Sequence, residues 1–145
     1  MANISVSLNS YLSNLVVFYL KLHDLHWNVK GPQFMEVHKY TEARYEDMAE
    51  KFDEIAELML MHGEKPVSSS EEYLKLATVR ELGKDSYRDD EVLKVLVEDL
   101  SALRDDAIKA RAKMAKDDVF DVVAVLEDHI AGYNKELWFL QSMLA

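Results

Sequence analysis

Apolar residues recur every three or four positions through most of the chain, and four long stretches follow this spacing. The first runs from about Ser5 to Val29 and the second from about Gln33 to His62. The third covers about Asp89 to Ala115 and the fourth about Asp118 to Leu144. Because a period near 3.6 residues is that of an amphipathic α-helix, the pattern predicts four long helices, each with one apolar face.

The apolar faces define the predicted core. On the second helix the core positions are Phe34, Val37, Thr41, Tyr45, Met48, Phe52, Ile55 and Met59. On the other three helices they are Leu8, Leu12, Leu15, Tyr19, Leu22, His26, Leu93, Leu96, Leu100, Leu103, Ala107, Met114, Val122, Leu126, Ile130, Tyr133, Leu137 and Leu140. Each set keeps to one side of its helix, as packing around a shared core requires.

Breaks between the helices set the predicted topology. Gly31-Pro32 ends the first helix, and Gly63, with Pro66 beyond it, ends the second. About 25 residues then separate the second helix from the third, enough for a crossover along a bundle. Within this connection Ser70–Ala77 has a Ser cap followed by acids, which predicts a short helix. We therefore predict one all-α domain over residues 1–145, a four-helix bundle whose crossover carries a short extra helix.

Composition restricts the chemistry that this bundle can support. There is no cysteine, so any bound metal must use nitrogen and oxygen ligands. Acidic residues outnumber basic ones by 27 to 17, giving a formal net charge of −10, which disfavours phosphate backbones and favours cations. The N-terminal segment lacks a basic start and a small-residue cleavage site, and its apolar positions are interrupted by polar ones. We expect a soluble, cytoplasmic protein without membrane contact.

The second helix carries two pairs of candidate metal ligands. His38 and Glu42 are spaced i, i+4, as are Asp53 and Glu57, and both pairs lie on one helix face because eleven residues make about three turns. At 1.5 Å per residue, however, about 16 Å of helix separates Glu42 from Asp53. The two pairs therefore cannot ligate the same ion within one straight helix, and each is a half-site.

Two copies of this helix would complete the half-sites. If they pack antiparallel across a two-fold axis near residues 47 and 48, His38 and Glu42 of one copy face Asp53 and Glu57 of the other. The first helix ends near His26, and the Gly31-Pro32 turn can bring that imidazole alongside to complete a His/His/Glu half-site. This mixed nitrogen and oxygen set suits Fe(II), with Zn(II), Mn(II) or Co(II) as competitors.

Simpler explanations exist for each pair on its own. An acidic i, i+4 pair in a protein with 27 acids is ordinarily a solvated helix face. Similarly, His23 and Asp24 either orient His26 through a hydrogen bond or only make the helix end polar. The joint arrangement favours the metal site, because five candidate ligands fit a single two-fold geometry.

The run from His23 to Gly63, HDLHWNVKGPQFMEVHKYTEARYEDMAEKFDEIAELMLMHG, resembles the signature region of the Dps-family miniferritins, a group within the ferritin-like superfamily. The ending KELWFLQSML resembles theirs as well. The family pattern is a His-Trp pair, a Gly-bearing turn, a Phe, His-x-x-x-Asp/Glu, and eleven residues later Asp-x-x-x-Glu. The matching positions here are His26, Trp27, Gly31, Phe34, His38, Glu42, Asp53 and Glu57.

This resemblance implies a hollow shell of twelve identical subunits with ferroxidase sites at the dimer interfaces. Such shells oxidise Fe(II), usually with hydrogen peroxide and otherwise with oxygen, and store the ferric mineral inside as protection against oxidative stress. His26, His38, Glu42, Asp53 and Glu57 would be the iron ligands. Trp27, beside the first ligand, either takes part in electron transfer or packs at the helix end.

Four acids near the last helix have two interpretations. Asp117, Asp118 and Asp121 cluster at its predicted start, where acids cap a helix and complement its dipole. In the family this region approaches a three-fold channel. The resemblance therefore implies that one or more of these acids, with Asp128, steer Fe(II) inward.

The chain departs from the family pattern at three points. Leu58 follows the final ligand where Arg is common, so we expect one interface salt bridge to be absent. Glu42 stands where Asp is common and is one methylene longer. We expect no Lys-rich N-terminal tail of the kind with which some members bind DNA, because the first helix is predicted to begin near Ser5. With a net charge of −10, we expect no tight DNA binding.

Two rival functions are possible for a helical bundle with these residues. A conventional di-iron bundle would need Glu-x-x-His on two helices of one subunit, and no such motif occurs; Glu127 and His129, spaced i, i+2, lie on divergent faces. The alternative from another class is a structural or DNA-compacting shell that has the metal-site residues but no ferroxidase activity.

Overall fold

The computed structural model describes residues 3–145, which form four long helices, one short helix and a single pair of two-residue strands. The elements are α1 (Ser5–Asn28), β1 (Val29–Lys30), α2 (Phe34–Met61), α3 (Ser70–Leu76), β2 (Tyr87–Arg88), α4 (Asp89–Lys116) and α5 (Phe120–Leu144). The predicted four-helix bundle with a short helix in its crossover is confirmed. Met1 and Ala2, which the predicted domain also includes, lie outside the described residues.

The long helices run up, down, down and up. Ile4, at the start of α1, donates its backbone N–H to Glu64, just beyond the end of α2, over 2.9 Å, so these helices are antiparallel. Arg111 and Glu127 pair across α4 and α5 at 2.9 Å, which fixes the second antiparallel pair. The strands β1 and β2 pair in parallel, so α4 begins beside the α1–α2 turn and runs in the same direction as α2.

Polar residues on α1 hold the long crossover along the length of the bundle. The Asn9 side chain accepts the backbone N–H of Val67 at 2.9 Å, and Asp24 accepts the Tyr87 hydroxyl at 2.6 Å. Between them, the buried Asn14 accepts the backbone N–H of Thr78 at 2.7 Å. Two of these bonds satisfy backbone N–H groups and the third satisfies a tyrosine hydroxyl, so together they attach a segment with little secondary structure of its own to α1.

Gly31 permits the close approach of α4 to the α1–α2 turn. Its φ is +135°, and a Cβ at this position would lie 2.5 Å from Asp89 Oδ2. That carboxylate accepts the backbone N–H of Gln33 at 2.8 Å, and this hydrogen bond lowers the pKa of Asp89. A side chain at position 31 would therefore displace the group that joins the turn to α4.

The core is close to the predicted one, with differences on α2. Val37, Thr41, Met48, Ile55 and Met59 are buried as predicted, and Leu58 joins them.

Three predicted core residues of α2 instead lie at the edge of its apolar face. Phe34 is 38% exposed, while Tyr45 and Phe52 are half-buried and pack edge-on against Tyr19 of α1 at 6.1 and 5.5 Å between ring centroids. Tyr19 and Ile130, also predicted core residues, are half-buried too. The apolar face of α2 therefore turns only part of its width into the core, and its edge packs against Tyr19 of α1.

A chain of polar side chains crosses the bundle interior. His129 is 2% exposed; its Nδ1 lies 2.8 Å from the Tyr11 hydroxyl and its Nε2 lies 2.7 Å from Glu54 Oε1. The Tyr11 hydroxyl is 2.6 Å from that of Tyr133. A carboxylate can only accept, so a neutral His129 donates from Nε2 and accepts at Nδ1 from Tyr11, which in turn accepts from Tyr133. Every partner in this chain is then satisfied.

None of the helices within residues 3–145 is long and apolar enough to cross a membrane.

We predict that the protein loses stability on acidification because His129 must be protonated in its buried position. Burial lowers the pKa of His129 below the usual value of about 6.5. The contribution of neutral His129 to the free energy of unfolding is therefore complete above pH about 6.5. It is lost as the pH falls through the lower pKa that His129 has in the folded protein. The free energy of unfolding can be measured by urea unfolding at a series of pH values. Below pH about 6.5 it should fall less steeply for His129→Gln than for the parent protein. Equal slopes would contradict this account.

Candidate metal centre

The turn between α1 and α2 brings the two predicted histidine ligands into contact. His26 is the buried, third-last residue of α1, and His38 lies in the second turn of α2. Their rings stack with centroids 3.7 Å apart and planes within 10°. Phe34 stacks on the outer face of His38 at 5.0 Å, and Tyr45 contacts the edge of His26 at 5.3 Å. Aromatic groups therefore hold both imidazoles in place.

Two reciprocal hydrogen bonds fix the tautomer of these rings. His26 Nδ1 lies 2.7 Å from the backbone carbonyl of His38, and His38 Nδ1 lies 2.9 Å from the backbone carbonyl of His26. Since a carbonyl only accepts, each ring donates from Nδ1 and keeps the lone pair of its neutral form on Nε2. Thr41 Oγ1 lies 3.1 Å from His26 Nδ1 and shares that N–H. Such outer bonds orient metal-binding imidazoles.

Glu42 completes one side of the candidate centre. Its Oε1 lies 4.0 Å from His26 Nε2, too far for a hydrogen bond but a gap that one ion bonded at about 2.1 Å to each atom can bridge. The Glu42 side chain is half-exposed, so it opens toward solvent. Burial lowers the pKa of His26, which favours the neutral imidazole that a cation requires.

The other predicted ligand pair is separate from this group. Asp53 and Glu57 are both exposed on α2 and line an open depression of about 470 Å³ together with Glu50, Glu54 and Leu58. Within residues 3–145 of one chain, no three or more His, Asp or Glu side chains come close enough to hold a metal ion. The structure therefore stacks His26 on His38 and places Glu42 4.0 Å from His26, and it leaves Asp53 and Glu57 apart from them.

The residues next to His26 bond elsewhere. His23 Nδ1 lies 2.8 Å from the Tyr19 carbonyl, and its ring stacks on Tyr45 at 4.0 Å. Asp24 accepts from Asn28 at 2.8 Å as well as from Tyr87, so it supports the helix end and the crossover. Neither side chain hydrogen-bonds His26.

Trp27 is the least buried of the aromatic residues around the candidate centre. It is 68% exposed, with its ring 5.5 Å from that of His23.

The acids near α5 differ from the predicted arrangement, because α5 begins at Phe120 rather than Asp118. Asp117 is the C-cap of α4, and Asp118 adopts a left-handed backbone with φ of 53°, where Val119 N–H bonds back to Met114. Neither therefore caps α5.

Two of these acids do lie on α5. Asp121 is in its first turn, where its carboxylate accepts a hydrogen bond from His62 Nε2 at 2.9 Å, and this bond contributes to lowering the pKa of Asp121 against the effect of burial. Asp128 is exposed two turns further along and lines a depression with His129.

Sequence reasoning missed several residues that support the site. The apolar spacing predicts Thr41 only as a core residue, although its position three residues after His38 places its hydroxyl beside the histidine pair. The spacing also predicts Tyr45 as a core residue, yet Tyr45 contacts both His23 and His26. No local pattern indicated that His62 would contact an acid, because its partner Asp121 is 59 residues away in sequence.

Comparisons with known proteins agree with this architecture. A family model described as a ferritin-like domain matches residues 6–145. The DNA protection during starvation protein of Helicobacter pylori is 33% identical over 133 residues, covering 92% of each chain. The chain belongs to the Dps family of ferritin-like proteins.

Solved Dps structures superpose on nearly the whole chain. The Dps protein from Bacillus brevis gives a TM-score of 0.95 at 29% identity and covers 100% of both chains. The Dps protein from Vibrio cholerae, described as a member of a broad superfamily of ferritin-like diiron-carboxylate proteins, gives a TM-score of 0.93 at 30% identity, covering 98% of this chain and 89% of that one. The Dps fold therefore extends across the bundle, the crossover and the candidate centre.

Proposed function

We propose that the protein binds Fe(II) as its substrate at sites shared between two subunits and oxidises it, with hydrogen peroxide as the preferred oxidant. The ferric product is stored as a mineral inside a hollow shell of twelve identical subunits, which limits oxidative damage. The observation that carries this proposal is the pair of reciprocal hydrogen bonds between His26 and His38. Both imidazoles donate from Nδ1, which leaves the lone pair on each Nε2, and Glu42 Oε1 lies 4.0 Å from the Nε2 of His26.

The proposed site divides its ligands between two subunits. His26 of α1 and His38 and Glu42 of α2 bind from one subunit, and Asp53 and Glu57 of α2 bind from the other. Neutral imidazoles suit Fe(II), while the carboxylates stabilise the greater charge of Fe(III). Two Fe(II) ions supply the electrons that break the O–O bond of one peroxide molecule, and protons convert its oxygens to water.

Trp27 is proposed to take up stray oxidising equivalents. Its indole lies one residue from His26 and is mostly exposed. An indole is readily oxidised, so a ring at this position can accept a reactive species before it reaches other targets.

A structural or DNA-compacting shell without ferroxidase activity is the alternative. The names of relatives such as the Helicobacter pylori protein refer to DNA protection. The two functions separate on iron-dependent activity, because only a ferroxidase accelerates oxidation of added Fe(II).

We predict that removing the second ligand pair abolishes rapid iron oxidation. In Asp53→Asn/Glu57→Gln, stopped-flow absorbance after anaerobic Fe(II) loading and peroxide addition should fall toward the rate in buffer. The matched control is Asp105→Asn/Glu98→Gln, which removes the same charge by the same two substitutions at exposed positions on α4. It should keep a rate near that of the parent protein.

Molecular mass measured on the same samples verifies that each variant is assembled. A parent protein that oxidises Fe(II) no faster than buffer and retains no iron would refute the proposed function. Equal losses in both double variants would instead refute the assignment of Asp53 and Glu57 as ligands.

We propose further that Asp117, Asp118 and Asp121, with Asp128, line a channel that steers Fe(II) inward. Replacing the first three with Asn should slow iron uptake and weaken its dependence on salt, because long-range attraction of a cation is screened by ions. Asn tolerates the left-handed backbone of residue 118, so the turn should be retained.

Uptake is measured at low and at high salt. The charge-matched control neutralises three exposed acids of the crossover, as Glu71→Gln, Glu81→Gln and Asp85→Asn. Uptake by the Asn variant that equals the control at low salt would leave these acids with a role in the α4–α5 turn alone.

We also predict no tight DNA binding at physiological salt. With 27 acidic against 17 basic residues, the net charge of −10 opposes binding to the phosphates of DNA. A gel shift without divalent cations should show no complex at submicromolar protein. A complex under these conditions would contradict the prediction, whereas one that needs divalent cations would indicate ion bridging.

A further inference from the structure

The proposed iron chemistry does not use the hydrogen-bonded chain of side chains in the bundle interior. This chain runs from Tyr133 through Tyr11 and His129 to Glu54, with 2.6, 2.8 and 2.7 Å between the bonded atoms. Both tyrosines and His129 are almost completely buried. Apolar side chains of similar size could fill this space without the cost of desolvating polar groups, so packing alone does not require the chain.

The hydrogen-bonded chain reaches the proposed iron site at its Glu54 end. Glu54 directly follows the proposed ligand Asp53 in α2, and its side chain lines the same depression as Asp53 and Glu57. From Glu54 the hydrogen bonds lead inward to His129 on α5 and then to Tyr11 on α1. Tyr11 is therefore connected to one ligand pair of the site, although it lies inside the bundle.

The surroundings of Tyr11 suit the loss of one electron. Burial raises the pKa of Tyr11 well above its usual value of about 10, so the phenol keeps its proton at neutral pH. Loss of an electron makes a phenol strongly acidic, and its proton then needs a base within hydrogen-bond distance. His129 Nδ1 is such a base at 2.8 Å. The imidazolium so formed keeps its Nε2–H bonded to the Glu54 carboxylate, which stabilises the positive charge.

Tyr133 is less suited to oxidation than Tyr11. Within the described residues, the Tyr133 hydroxyl bonds only to that of Tyr11, so no base is in position to take its proton. Lys51 Nζ also lies 5.5 Å from the centroid of the Tyr133 ring, and a positive charge there opposes the loss of an electron. The Tyr133 hydroxyl instead donates to the Tyr11 oxygen, where it stabilises a radical.

We propose that Tyr11, with His129 as its proton acceptor, is a reversible one-electron donor to the oxidant formed at the shared site. This role rests on the proposed function for the source of that oxidant. When a site holds one Fe(II), the ion gives one electron to hydrogen peroxide, whose O–O bond breaks to hydroxide and a hydroxyl radical. Tyr11 supplies the second electron while its proton moves to His129, so the radical becomes a second hydroxide. Solvent protons convert both hydroxides to water.

A second Fe(II) then restores Tyr11. This ion reduces the tyrosyl radical, and the proton returns from His129 to the phenol oxygen. Over both steps, two Fe(II), one hydrogen peroxide and two protons give two Fe(III) and two waters. The protein therefore completes the two-electron reduction of peroxide when iron ions arrive one at a time, without releasing a hydroxyl radical.

Electron paramagnetic resonance tests this role when protein loaded anaerobically with one Fe(II) per site is mixed with hydrogen peroxide. The parent should give the signal of a neutral tyrosyl radical, and the signal should narrow when the protein contains ring-deuterated tyrosine. Tyr11→Phe should lose most of this signal, and a spin trap should detect several-fold more hydroxyl radical.

The matched control is Tyr40→Phe. Tyr40 is half-buried, and its hydroxyl donates to a carboxylate, that of Glu136 at 2.8 Å, rather than to an imidazole. Tyr40→Phe should match the parent protein in both measurements. A tyrosyl signal that persists unchanged in Tyr11→Phe, or an equal loss in the control, would overturn the assignment to Tyr11.

His129→Gln tests the proton acceptor, because a Gln side chain can hydrogen-bond to Tyr11 but cannot take up its proton. The yield of tyrosyl radical should fall several-fold in shells verified by mass. An equal yield would overturn the role of His129.

Tyr133→Phe provides a test that keeps both Tyr11 and His129 in place. It removes only the hydrogen bond from Tyr133 to the Tyr11 oxygen. A hydrogen bond to a phenoxyl oxygen lowers the largest g value of the radical, so high-field electron paramagnetic resonance should detect the radical with a higher largest g value. Loss of the radical, or an unchanged g value, would overturn the assignment to Tyr11.

A measurement without iron separates this role from the proposed function. Azide radicals made by pulse radiolysis oxidise exposed indoles, here Trp27 and Trp138. Tyr11 should then reduce the indole radical, so tyrosyl absorbance should rise as tryptophanyl absorbance decays in the parent and in Tyr40→Phe but not in Tyr11→Phe. This conversion in a protein that fails to oxidise iron would refute the proposed function and support the role of Tyr11. Rapid iron oxidation without the conversion would overturn the role of Tyr11 alone.

Discussion

The rise of an α-helix is the constraint on which the proposed site depends. It places about 16 Å between Glu42 and Asp53, although both project from one face of α2. The fold does not bend α2 to bring them together, and His26 joins only the first pair. A straight helix thus carries two incomplete ligand groups, and a second copy in antiparallel orientation is the simplest arrangement that completes both.

Hydrogen bonds within one chain orient the two histidine ligands without a second copy. The backbone carbonyls of His26 and His38 accept from each other's rings, so the turn that joins α1 to α2 also selects the tautomer of its ligands. Gly31 lets Asp89 anchor that turn to α4. The crossover, held along α1 by Asn14 and its neighbours, delivers α4 to this position. The ligand geometry and the topology of the bundle are therefore coupled.

The sequence predicted the long helices and the short crossover helix because period, caps and breaks are local signals. The sequence predicted Phe34, Tyr45 and Phe52 as core residues, but they are only partly buried. Periodicity identifies the apolar side of a helix and does not show how much of that side other elements cover. Residue spacing could not predict the contacts between residues far apart in sequence, such as His62 with Asp121 or His129 with Glu54 and Tyr11. The candidate ligands were predictable because i, i+4 spacing is itself local, whereas their tautomer required the folded turn.

Mixed reassembly tests the shared site most directly. One variant lacks His26 and His38, and the other lacks Asp53 and Glu57, so each alone should be nearly inactive. When the two are mixed unfolded and reassembled, random pairing makes about half of the dimers mixed, and each mixed dimer has one whole site and one doubly damaged site. With reassembly verified by mass, about a quarter of the parent's rapid iron oxidation should return. No recovery in verified mixed shells would show that the ligands do not come from two chains.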